Sequence, residues 1–258
     1  MRYRQEQAAI LHIEEIAPGV YNSILSAKAI ARAATAGQFV QVLCDSYQLR
    51  RPISIAGFDA SLGILRLVFE VRGQGTAWLA GRKKGDLLDL IGPLGHGFPL
   101  TDASKKAVMV GGGIGTPPLL PLSQFHGANA TVITGFRTAS AAILQADFAA
   151  SGAETILCTD DGSAGFHGFT TEALEQRLSR GDVEVVYTCG PKVMMKGVAK
   201  LAEAAGAVCY VSMEERMGCG VGACLGCTCK TKNEQGGTQM TRVCLNGPVF
   251  RSTEVDWT

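Results

Sequence analysis

The chain has 258 residues, 47% hydrophobic and 18% charged, with a formal net charge of +1. That balance excludes a disordered chain and gives no electrostatic reason to expect a nucleic-acid partner. The first residues, Met1-Arg2-Tyr3-Arg4-Gln5-Glu6, lack the apolar stretch of a signal peptide, and the most apolar run, 107–122, is broken by glycines and prolines, so a cytoplasmic protein without a membrane span is expected.

The first hundred residues read as β structure. Gly37-Gln38-Phe39-Val40-Gln41-Val42-Leu43 and Gly63-Ile64-Leu65-Arg66-Leu67-Val68-Phe69 alternate with the two-residue period of half-buried strands. Gly85 to Pro93 adds another strand that ends on a turn signal. Short strands punctuated by glycine and proline predict an antiparallel barrel over 1–101. Within it, Arg50-Arg51-Pro52-Ile53-Ser54-Ile55 sets two arginines in an otherwise apolar strand, which is costly unless an anion meets them. A flavin phosphate would suit the arginines and a flavin ring nitrogen would suit Ser54; an edge strand with solvated arginines fits the same residues. Gly73-Gln74-Gly75-Thr76 is a second phosphate-capable turn that leads into a helix.

From Lys105 the rhythm changes. Ala107-Val108-Met109-Val110 is a continuous apolar strand, and 131–134, 155–158 and 183–187 follow it, separated by helix-compatible segments such as 192–205. This alternation predicts a doubly wound parallel α/β sheet over 102–212. Gly111-Gly112-Gly113-Ile114-Gly115-Thr116-Pro117-Pro118 follows the first of these strands and is expected to open a helix, a context that suits a dinucleotide pyrophosphate. A proline stands where the usual third glycine would, so a tight strand-to-helix turn is the competing reading. Asp160-Asp161-Gly162-Ser163 and Cys189-Gly190-Pro191 follow later strands and would border the same crevice, since ligands bind at the carboxyl ends of parallel strands. Arg137, after the second strand, leaves NAD and NADP both open.

Five of the nine cysteines crowd into 213–258. Their order is Cys219-x4-Cys224-x2-Cys227, then sixteen residues to Cys244. This is the plant-type spacing for a [2Fe–2S] cluster, with Gly218, Gly220, Gly222 and Gly226 letting the loop wrap around the sulfurs. Cys244 is expected to close the cage from a separate strand. Zinc would call for a second C-x2-C knuckle, which is missing. The spacing leaves Cys229 as a spare thiol.

Several of these motifs occur together in one known superfamily. Arg51-Pro52-Ile53-Ser54, Gly75-Thr76, Gly92-Pro93-Leu94-Gly95-His96-Gly97-Phe98, Gly113-x-Gly115-x-x-Pro118 and Cys189-Gly190-Pro191 resemble the ferredoxin–NADP reductase superfamily. The run from Met213 to Cys224, together with Val243-Cys244-Leu245-Asn246-Gly247-Pro248-Val249-Phe250, is similar to the electron-transfer subunits of B-type, NAD-dependent dihydroorotate dehydrogenase.

The resemblance implies an FAD-binding β-barrel, an α/β domain taking NAD as cosubstrate, and a [2Fe–2S] module. It implies that Arg51, Pro52, Ile53, Ser54, Val68, Phe69, Glu70, Gly75 and Thr76 line FAD, with Glu70 acting through its backbone because relatives often carry a basic residue there. Gly113, Gly115, Asp160, Cys189, Gly190 and Pro191 would border NAD, and Cys219, Cys224, Cys227 and Cys244 would hold the cluster. It implies a partner, the FMN-containing catalytic subunit that oxidises dihydroorotate to orotate in pyrimidine biosynthesis, in a heterotetramer with two copies of each chain. This chain offers no catalytic base of its own. The alternative within the superfamily is an NAD(P)H-dependent iron–sulfur flavoprotein serving ferredoxin or a sulfur-linked partner; such relatives tend to place an acidic ligand where Cys219 stands.

Overall fold

The computed structural model describes residues 3–45, 49–100, 102–233 and 235–258. Met1 and Arg2, part of the segment read for a signal peptide, lie outside them.

Six strands, β1 (Arg4–Ala17), β2 (Val20–Ser26), β3 (Phe39–Val42), β4 (Arg51–Asp59), β5 (Ile64–Glu70) and β6 (Leu87–Leu94), close into an antiparallel barrel in the order β1-β2-β5-β4-β3-β6. Alternation decides which side chains fill it: Val40 and Val42 of β3, Ile53 and Ile55 of β4, and Leu65, Leu67 and Phe69 of β5 point inward. Ile30 of α1 (Lys28–Ala31) and Leu79 of α2 (Gln74–Ala80) join this core. The predicted strands at 37–43, 63–69 and 85–93 fall on β3, β5 and β6. The long β1 escaped prediction because only Ala8, Ile10 and Ala17 of its fourteen residues are buried, and its register shifts twice against β2. A mostly solvated, irregular strand carries little alternation to read.

The second layer is a sheet in which β7 (Ala107–Gly112), β8 (Ala130–Phe136), β9 (Glu154–Thr159), β10 (Phe166–His167), β11 (Val185–Cys189) and β12 (Val208–Ser212) run parallel. Their continuous apolar runs are those of a sheet buried on both faces. The connecting helices are α3 (Leu120–His126), α4 (Gln145–Ala150), α5 (Thr170–Leu178) and α6 (Lys192–Ala204). The glycine loop opens a helix later than expected. Two 3-10 turns, 113–115 and 117–119, come first, and α3 begins only at Leu120. Pro117 and Pro118 lack the N–H groups that a regular α-helix needs beyond its first turn.

The tail forms the hairpin β13 (Thr228–Lys232) and β14 (Thr238–Arg242), then α7 (Val243–Asn246), then β15 (Val249–Arg251). β15 returns to the large sheet and pairs antiparallel with β12, giving the order β10-β9-β8-β7-β11-β12-β15. The cysteine segment is therefore stitched into the nucleotide sheet. It also reaches the barrel, where His96 N–H donates to Gly247 O at 2.6 Å. Barrel and sheet are joined directly by the Arg66–Asp147 ion pair and by Tyr187 Oη donating to Pro99 O at 3.2 Å.

Candidate functional site

The cysteine loop lies on the outside of the barrel wall. Val40 and Val42 fill the barrel, so Phe39 and Gln41 of β3 face outward, and both are buried by the tail. Phe39 shares an apolar cluster with Cys227, Cys244, Met213 and Phe250. Across the β3–β4 ladder, Phe39 faces Ser54 and Gln41 faces Pro52. The outer face of β4, where flavin-lining residues are expected, thus adjoins the surface that seats the cysteines.

The four cysteines come as two pairs. Cys219 and Cys224 lie near enough to affect each other's ionisation on the outer side, where Cys224 is exposed; Cys227 and Cys244 do so on the inner side, both buried. Cys219 Sγ accepts the N–H groups of Val221, Ala223 and Cys224 at 3.4, 3.2 and 3.4 Å. Burial pushes the Cys219 thiol up, but these donors and the Cys224 thiol outweigh it and bring its pKa down to about 6. A thiol so placed is largely thiolate at neutral pH, the form that binds metal. Burial first, and the neighbouring Cys227 next, push Cys244 up to about 12.

Cys244 sits in the first turn of α7, not on a strand as expected from the sequence. The reason is geometric. The N–H groups of Val243 and Cys244 both reach Cys227, at its O (2.9 Å) and Sγ (3.4 Å). Consecutive N–H groups point the same way in a helical turn but to opposite sides in a strand. Cys229 is buried on β13 in the apolar core, and burial raises its pKa to about 11.

On β4, Ile53 points into the barrel, whereas Pro52 and Ser54 face out. Arg50 finds its anion within the protein: its Nη2 lies 2.8 Å from Asp89 Oδ1. Arg51 turns toward α2 and lies against Gly75, where a Cβ would stand 2.7 Å from its Nε. Thr76 Oγ1 accepts the N–H groups of Arg72 and Gly73 and donates to Gly73 O, which fixes the turn. Val68 joins the apolar cluster of the second domain that includes Leu119 and Leu120, Phe69 points into the barrel, and Glu70 pairs with Arg72 at 2.6 Å. Any contact of Phe69 with a ligand outside the barrel is therefore through its backbone.

In the second domain the glycine loop and the Cys189-Gly190-Pro191 turn meet backbone to backbone. A Cβ on Gly115 would stand 2.6 Å from Cys189 C and O and from Gly190 Cα, and one on Gly190 would stand 2.9 Å from Gly112 N. Gly113 and Gly190 hold φ of +52° and +148°, conformations that favour glycine. Asp160 is exposed beyond the end of β9, and its N–H is tied to Phe136 O at 3.0 Å. Gly113, Gly115, Asp160 and the 189–191 turn thus all lie at the carboxyl ends of parallel strands.

Two residues of this region were not singled out from the sequence. Gln41 is fully buried between β4 and the cysteine loop. Glu214, where the chain leaves β12, is exposed as a whole residue, yet burial around its carboxyl pushes its pKa up, with Arg72 opposing. No local pattern marks either one; their neighbours come from distant segments.

Residues 214–256 match the family described as the iron–sulfur cluster binding domain of dihydroorotate dehydrogenase B. The chain is 40% identical to the dihydroorotate dehydrogenase B (NAD(+)) electron transfer subunit of Geobacillus thermodenitrificans, covering 97% of this chain and 98% of that one. It is also 40% identical to the subunit of the same name from Enterococcus faecalis, over 99% of each. Among solved structures, an NADH-dependent reduced ferredoxin-NADP oxidoreductase is similar with a TM-score of 0.86 and 28% identity, over 98% of this chain and 90% of that one. A ferredoxin NADP+ reductase from Neisseria gonorrhoeae with bound FAD and NADP shares the fold at a TM-score of 0.65 and 18% identity, over 82% and 94%.

Proposed function

The chain belongs to the family of electron-transfer subunits of NAD-linked dihydroorotate dehydrogenase B, and on that premise we propose how its residues divide the work. It is an oxidoreductase subunit of pyrimidine synthesis that uses FAD, NAD and an iron–sulfur cluster. FAD, when bound, supplies the conversion between the two-electron hydride of the nicotinamide and the one-electron traffic of the cluster.

Arg51 holds an FAD phosphate against the Gly75 backbone, where a planar guanidinium can bind in a bidentate manner. Pro52 and Ser54 present the outer face of β4 to the flavin, with Ile53 shaping the strand from inside. Val68, Phe69, Glu70 and Thr76 contribute mainly through the backbone where β5 leads into α2. Gly113 and Gly115 receive the dinucleotide phosphates, and Asp160, Cys189, Gly190 and Pro191 border the remainder of NAD. Cys219, Cys224, Cys227 and Cys244 hold one [2Fe–2S] cluster, and Cys229 is a core residue. The functional units are 1–101 for FAD, 102–212 for NAD and 213–258 for the cluster, the last sharing its β15 with the nucleotide sheet.

The name of the relatives implies a catalytic partner. We take it to be an FMN-bearing subunit that oxidises dihydroorotate, assembled with two copies of each chain. The observation that carries this reading is the seating of the cysteine loop against Phe39 and Gln41 on the outer barrel face, the ladder neighbours of Ser54 and Pro52. The decisive assay is NAD-linked orotate formation with and without that partner. The isolated chain should pass electrons from NADH to an artificial acceptor and form no orotate; adding the partner should restore orotate formation. Orotate from the chain alone, or no gain on adding the partner, overturns the division of labour.

A further inference from the structure

Gln41 has no exposed surface, and neither Oε1 nor Nε2 of its amide has a hydrogen-bond partner. Burying such a group unpaired forfeits its hydrogen bonds to water, so an orphaned amide in a well-formed core calls for an explanation. Its surroundings are specific. Gln41 stands on the outer face of β3, opposite Pro52 on one side and Ile91 on the other. Its main-chain oxygen accepts Arg50 Nη1 at 3.4 Å, and Arg50 is itself fixed by Asp89. The loop residue directly after Cys219 covers the side chain: a Cβ on Gly220 would lie 2.6 Å from Gln41 Cγ and 2.7 Å from Nε2. Gly220 holds φ of +72°, so the sequence keeps a glycine where both the backbone and the amide require one.

We propose that Gln41 Nε2 donates a hydrogen bond to sulfur on the Cys219 side of the cluster and thereby raises the cluster's reduction potential. This rests on the reading that Cys219, Cys224, Cys227 and Cys244 hold that cluster. A donor aimed at sulfur favours the more negative, reduced state, and hydrogen bonds to sulfur are one of the means by which proteins set such potentials. Loop N–H groups already supply three donors to Cys219 Sγ, and Gln41 adds one from the barrel wall next to Pro52. The cluster's electron affinity is thereby tied to the strand pair that faces the flavin.

The test uses the cofactor-loaded chain and Gln41→Leu, which keeps the volume and removes the donor. Iron and FAD per chain should be unchanged. In a redox titration followed by electron paramagnetic resonance, the ratio of reduced to oxidised cluster at a fixed potential should fall about tenfold, about 59 mV for one electron. In wild-type protein carrying 15N in its glutamine side-chain amides, pulsed resonance on the reduced cluster should show a 15N coupling. An unchanged potential with iron retained overturns the inference. So does the absence of 15N coupling in the wild type, a result independent of whether the variant folds. Wild-type protein lacking two irons per chain would instead overturn the cluster reading, and this inference with it.

Discussion

Arg51 and Gly75 are in direct contact: a Cβ on Gly75 would stand 2.7 Å from Arg51 Nε and 3.1 Å from Cζ. Gly75 lies inside α2, where alanine by itself favours the helix by about 0.5–1 kcal/mol. Gly75→Ala should therefore leave the apoprotein at least as stable while it displaces the guanidinium. Hydrogen bonds to charged groups are worth about 1.5–3 kcal/mol, so FAD affinity should fall about tenfold or more. Flavin fluorescence titration measures it, with thermal melting of the apoprotein as control. Unchanged affinity would show that the phosphate is held elsewhere.

Gly115 meets Cys189 and Gly190 through backbone atoms alone, so no side chain can rotate away from an added methyl group. Gly115→Ala should force the crevice open and raise the KM for NADH about tenfold or more, while FAD per chain stays constant. Steady-state reduction of an artificial acceptor at varied NADH gives the answer. A normal KM would place the dinucleotide away from this turn.

Pairing of the thiols makes a graded prediction. Cys227 and Cys244 are buried and linked through two N–H donors from the same turn, so Cys244→Ser should abolish iron retention and visible colour. Cys229→Ser should keep both, since that thiol belongs to the apolar core; a modest loss of melting temperature is its expected signature. Iron analysis of the two variants separates them, and iron lost from Cys229→Ser would require a different ligand set.

How much of this was legible beforehand follows from where each signal resides. The parallel strands announce themselves because burial on both faces demands continuous apolar runs, as at 107–110. The spacing around Cys219, Cys224 and Cys227 is legible because one loop supplies three thiols. The sequence expects Cys244 on a strand, whereas it lies in a helical turn, because the N–H groups of Val243 and Cys244 both reach Cys227, a contact between distant segments. Gln41 could not be read at all: its burial depends on Gly220, far along the chain, and from alternation alone it looks like a solvated strand residue. Arg50 and Arg51 read alike in sequence, yet only the fold brings Asp89 to the first and Gly75 to the second.

Acid should loosen the tail through Asp256. Its carboxylate accepts Thr238 Oγ1 at 2.7 Å and the N–H and Oγ1 of Thr258 at 3.1 and 2.8 Å, and these bonds, the Thr238 hydroxyl first, bring its pKa down to about 2. A pKa depressed in the folded state contributes stability that is present above the unfolded value near 4 and is lost as pH falls through about 2. Asp256→Asn should lower the melting temperature slightly at pH 7 and flatten its dependence between pH 4 and pH 2. Parallel profiles for variant and wild type would count against this.

The last prediction concerns the partner. Cys224 is exposed, and its neighbour Leu225 is 63% exposed with φ of +58°. Leu49, also exposed, approaches the same loop, 4.0 Å from where a Cβ on Gly218 would lie. A leucine in the left-handed region costs about 1–2 kcal/mol, and asparagine, aspartate or glycine would serve the loop better. A residue that is locally unfavourable and leaves most of an apolar side chain exposed is best explained by an apolar contact outside its own fold. Leu225→Asp should thus retain the loop, the iron and NADH oxidation by an artificial acceptor, because aspartate tolerates this backbone. It should nonetheless weaken association with the catalytic partner subunit about tenfold or more, by loss of the apolar contact and burial of a charge. Titrating the partner into variant and wild type, with orotate formation as the readout, measures the shift. An unchanged half-saturation point would move the docking face away from Cys224 and leave Leu225 without a role at the interface.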